Sequence, residues 1–150
     1  MRPILLGMNN PQSAEPSMAL WPDPPGCAGH RLWVISGMGR TEWLEMFERR
    51  NLLDSTRWVQ AEGEKSADRM RGELRDRVVV MCGVDVARCV EGLPRGLFCW
   101  HRPMSGGVEG QGWWARIPHP SGKCRDWNDP IVVECARIFL EELAAAHAEG

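Results

Sequence analysis

Apolar residues follow two different spacings along this chain. Residues 4–6 and 78–82 are uninterrupted apolar runs of strand length, closed by Gly7 and Gly83. Such runs bury both faces of a strand and belong inside a parallel sheet. Residues 51–53, 97–100 and 113–117 predict further strands. Between these runs the apolar positions spread to helical spacing. Leu32, Trp33 and Ile35 predict a helix from Arg31 to the stop at Gly37, and Thr41 is the expected N-cap of a second, carrying Trp43, Leu44 and Phe47. Residues 61–76 are densely charged, with Met70 and Leu74 as the apolar anchors of a surface helix, and residues 84–90 continue the pattern. Asp129 and Pro130 are good N-cap and first-turn residues for a last helix from Ile131 to about Ala146, with Phe139, Leu140 and Leu143 facing inward.

Strands alternating with helices predict an α/β fold whose sheet is covered on both faces and binds ligands at the carboxyl ends of its strands. Two unusual loops leave strands at that edge. One, residues 9–29, is rich in proline, glycine and serine; the other, residues 118–130, reads PHPSGKCRDWNDP. A glycine-rich loop, residues 101–112, separates the last two expected strands. With 150 residues, 43% of them hydrophobic, the chain has the size of one domain, residues 1–150.

Composition narrows the chemistry. No run of eighteen apolar residues is present, and the apolar stretch within MRPILLGMNN is too short for a signal peptide, so a soluble cytoplasmic protein with no membrane association is expected. The six cysteines have neither CxxC spacing nor the density of a disulfide scaffold, which predicts reduced thiols and no metal centre. A zinc deaminase needs H-x-E and P-C-x-x-C motifs, and neither occurs. The net charge of −2 supplies no global attraction for a polyanion, so any nucleic-acid contact must come from a local patch. Arg31, Arg102 and Arg116 are candidates for such a patch.

Gly7 to Pro11, GMNNP, and His119 to Gly122, HPSG, resemble the two signature motifs of the uracil-DNA glycosylase superfamily, in the same order and near the two ends of the chain. AGHRLW from Ala28, FERRNLL from Phe47 and the VVVMCG run with its following helix resemble segments of the same superfamily. The mismatch-specific and single-strand-selective branches read Gly-x-Asn-Pro-Gly in the first motif. Here Asn10 stands where they have proline, which leaves the choice between Asn9 and Asn10 open.

The resemblance implies a three-layer sandwich with a mainly parallel four-stranded sheet, and a monomeric base-excision enzyme that hydrolyses the N-glycosidic bond of uracil or a related altered base in single- or double-stranded DNA. Such an enzyme flips its target out of the base stack and uses neither metal nor diffusible cofactor. By the resemblance Asn9 positions the attacking water, and His119 donates to the departing base as negative charge develops on it. Asn51 matches the asparagine that reads the uracil edge, an edge an amide suits. Trp21 is a candidate stacking platform, and Met8 and Asn10 are expected against the substrate. Ser121, Gly122, Lys123 and Arg125 are expected against DNA, with Lys123 where the superfamily places an apolar wedge. A non-catalytic nucleic-acid-binding protein of the same fold, encoded by a phage for example, is the alternative expectation.

Overall fold

A computed structural model of the protein describes residues 1–105 and 107–148. Its centre is a four-stranded parallel sheet in the order β2-β1-β3-β6, formed by β1 (Ile4–Gly7), β2 (Glu48–Asn51), β3 (Val78–Cys82) and β6 (Trp113–Ile117). The two apolar runs occupy the middle of the sheet, as their composition requires. Ile4, Leu5 and Leu6 are fully buried, and each contributes about 1.5–3 kcal/mol through burial.

Period-two alternation assigns these side chains to opposite faces. Ile4, Leu6, Val79 and Met81 pack under α3 (Gln60–Leu74) and α4 (Val84–Glu91). Leu5, Val80 and Cys82 pack under α1 (Ala28–Ser36), α2 (Arg40–Met46) and α5 (Pro130–Ala148). The result is the expected three-layer α/β sandwich. Among the described residues no helix is long and apolar enough to cross a membrane.

Several local expectations change. The second strand is not residues 51–53 but the charged segment Glu48–Asn51. It lies at the sheet edge, where side chains need not be apolar on both faces. Glu48 pairs with Arg50 and Arg77, and Arg50 also pairs with Glu73 of α3. Leu52 and Leu53 follow the strand as buried residues, their N–H groups donating to Gly7 and Met8 carbonyls at 2.9 and 3.0 Å.

Residues 97–100 do not form a strand either. Only single bridges join Leu97 to Arg116 and His101 to Trp114, because Phe98, at φ 58°, turns out of extended geometry. The following loop carries a small antiparallel hairpin of β4 (Met104–Ser105) and β5 (Val108–Glu109).

Helix starts shift for capping reasons. Helix α1 begins three residues before Arg31, because the Cys27 sulfur accepts the His30 N–H at 3.4 Å, a cap that cysteine rarely provides. Thr41 does not cap α2: Gly39 takes the extended cap conformation and its carbonyl receives the Trp43 N–H at 2.9 Å. Gly37 ends α1 in the left-handed conformation, and Asp129 accepts the Ile131 N–H at 2.9 Å, both as the sequence predicts.

Candidate active site

The carboxyl ends of β1, β3 and β6 open into a cleft of about 770 Å³. Its walls come from the two loops singled out in the sequence. Met8, Asn9 and Asn10 follow β1, His119 to Lys123 follow β6, and Trp21 together with residues 23–29 closes the remaining side. Residues more than a hundred positions apart in the chain therefore share one cavity because their strands flank β3.

His119 is the best defined group. Its Nδ1 accepts the Ser121 N–H at 3.1 Å, so the neutral ring carries its proton on Nε2, a free donor among the described residues. Burial holds its pKa below the ordinary imidazole value and outweighs the nearby Asp85 carboxylate, which acts the other way. The Trp127 indole N–H donates to the His119 carbonyl at 2.6 Å and fixes the backbone behind the ring. Gly83, at φ 106°, lies beneath it, and a Cβ there would come within 2.9 Å of His119 Cβ and Cδ2. A glycine is required for both reasons.

This depression carries a stability consequence. The unfolded chain binds the His119 proton first as pH falls, so the neutral histidine contributes stability above the ordinary value of 6.5. That contribution is lost as pH drops through the lower folded value. Denaturant unfolding between pH 8 and 5 is expected to show a steeper acid loss for the wild type than for His119→Gln. Parallel profiles would place the ring in solvent.

The two asparagines differ in their engagements. Asn10 uses both ends of its amide within the loop, donating to the Met18 carbonyl at 2.9 Å and accepting from the Gln12 N–H at 2.9 Å. Asn9 donates to the Ser55 carbonyl at 3.1 Å and leaves its Oδ1 without a donor among the described residues. Asn10 is thus a loop brace, and Asn9 keeps a free acceptor. Met8 lines the cleft while resting on the α3–α4 side of the core.

Asn51 is not on the cleft wall but directly behind Gly7, which is. A Cβ on residue 7 would stand 2.5 Å from Asn51 Oδ1, and that oxygen is buried with no hydrogen-bond partner. Trp21 lines the cleft, but its ring is already attended by the Arg40 and Arg49 guanidinium groups, 5.3 and 5.1 Å from its centroid. Lys123 reaches the cleft, Gly122 lies beside the Arg31 guanidinium, and exposed Arg125 begins the short 3-10 turn beyond. Arg102 and Arg116 are placed elsewhere: Arg102 lies over Trp113 and Arg116 donates to the Arg95 carbonyl.

Sequence reasoning missed two carboxylates on the cleft wall. Asp85 stands in the first turn of α4, and Asp23 is paired with Arg40. Asp85 was discoverable, because it follows the clearest strand at the edge where parallel sheets bind ligands. Cys82 also lines the cleft, but burial pushes its thiol up to about 12, which keeps it protonated and unreactive. Among the described residues no group of three or more histidine, cysteine or acidic side chains could hold a metal ion. No protein-family model matches the chain, and no curated protein matches it.

Proposed function

We propose that the protein is a DNA glycosylase that hydrolyses the N-glycosidic bond of uracil or a related altered base. The observation that carries this reading is the convergence of GMNNP and HPSG on one cleft, with His119 held by Ser121 as an Nε2–H donor. Bond cleavage leaves electron density on the departing base, and a preorganised donor aimed at its carbonyl oxygen strengthens as that charge grows. Asn9 Oδ1 is free to hold the attacking water. Asn51 Oδ1, buried behind Gly7 and lacking a donor, is no part of the cleft wall, and the reading rests on His119 and Asn9.

The deciding experiment exposes purified protein to oligonucleotides carrying uracil, hydroxymethyluracil or hypoxanthine and scores alkali-labile abasic sites. Cleavage at one altered base is the expected result. Intact strands across the panel would sink the enzymatic reading in favour of a binding protein.

The same reading places Lys123 and Arg125 against phosphates, since both are exposed and Lys123 sits at the cleft mouth. Replacing both with alanine should weaken DNA binding and lower the slope of log K against log salt by about one unit per lost phosphate contact. An unchanged slope would move the DNA path to another face. By the same resemblance the protein acts as a monomer in the cytoplasm.

A further inference from the structure

A second cleft, of about 350 Å³, lies at the far end of α4, between the last turn of that helix and the segment following it. Glu91 forms its floor. One carboxylate oxygen is paired with His101 Nε2, and the side chain is only 8% exposed. The other, Oε2, is buried and has no hydrogen-bond partner among the described residues. A buried carboxylate oxygen without a donor is costly, so an orphan of this kind at a cavity wall marks a place where a ligand donor belongs. Leu93, Pro94 and Met104 supply apolar walls, and exposed Arg95 stands at the rim as a cation.

We propose that this cleft binds a nucleobase through an exocyclic amino group, with the attached phosphate meeting Arg95. A carboxylate with one free oxygen accepts a single N–H well, as in carboxylate recognition of the cytosine N4 amino group. The apolar walls suit the faces of a planar ring, and the rim arginine suits a phosphate. A purely cationic ligand would face Arg95 with like charge, which favours a molecule that carries its donor at one end and its anion at the other. Uracil and thymine carry only a ring N3–H, set between two carbonyl oxygens that a carboxylate repels, so they are disfavoured in this cleft. The inference stands apart from the excision reading, since it concerns different residues at a different edge of the sheet.

Calorimetric titration of the whole protein with CMP, AMP and GMP against UMP and dTMP tests it. The amino-bearing nucleotides are expected to bind at least about tenfold more tightly, the worth of one hydrogen bond to a charged acceptor. Glu91→Gln, checked for folding by circular dichroism, should erase that preference, because an amide can turn its own N–H toward a base carbonyl. Arg95→Ala should weaken CMP but not cytidine, and comparing CMP with a short oligo-dC separates a free nucleotide from a strand as the source. Equal affinity for CMP and UMP, no saturable binding, or a preference that survives Glu91→Gln would each overturn the proposal. Because a uracil ring is also the proposed guest of the first cleft, the titrations are repeated in His119→Ala, where the nucleotide preference reports this cleft, and loss of excision activity bears only on the first.

Discussion

His119→Ala is expected to slow single-turnover base excision by about 10²–10³, while the affinity for the same DNA changes little. The expectation rests on the fixed tautomer. With Nδ1 occupied by the Ser121 N–H, the ring donates only through Nε2, and in the proposed reaction that donor would meet a charge that develops in the transition state and is absent from the bound substrate. Asn9→Ala should slow the same step by acting on the water, and the double variant should be slower than either. Excision at the wild-type rate in His119→Ala, with circular dichroism showing an intact fold, would remove the ring from the chemistry.

The largest stability effect is expected from Gly29→Ala. Gly29 lies in the first turn of α1, where that helix packs against the loop that leads into it, and a methyl group there would overlap the carbonyl oxygens of Leu20 and Trp21. Both obstacles are backbone, so no side-chain rotation relieves them. Leu20 has no slack to give, being buried against Gly7 in the left-handed conformation at φ 49°. Overpacking of this kind costs about 3 kcal/mol. At about 2–4 °C per kcal/mol for a chain of this size, that lowers the Tm by roughly 6–12 °C. Gly72→Ala is the control of opposite sign. Gly72 lies in α3 with open space where its Cβ would go, and alanine there should stabilise by about 0.5–1 kcal/mol. If the two variants melted together, the close approach at Gly29 would carry no energy.

The sequence made the interior of the fold legible and its margins less so. The runs at residues 4–6 and 78–82 can satisfy themselves only between two helical layers, so the central strands and the sandwich followed from them. β2 was misplaced because an edge strand is stabilised by its ladder to β1 and by the Glu48, Arg50, Glu73 and Arg77 ion pairs, none of which leaves an apolar run to read. Segment 97–100 has strand composition, yet the positive φ of Phe98 is a tertiary outcome with no local signature. At the site, the two motifs and their meeting at the strand ends were legible from the order of the elements. The division of labour between Asn9 and Asn10 was not, since it depends on carbonyls from Ser55 and Met18 that reach the loop only after folding. The arginines over Trp21 were invisible for the same reason.

The position of β3 between β1 and β6 also acts as a gauge. The strands that carry the Asn9 and His119 loops are not neighbours in the sheet but stand two ladder spacings apart, about 9.5 Å. That separation is set by backbone hydrogen bonds, which no side-chain substitution alters. Gly83, at the end of the intervening strand, adds no side chain to the floor between them. Repacking of the two cores can therefore raise or lower the stability of the domain while the jaws keep their spacing, and the distance between them is a property of the ladder more than of the lining.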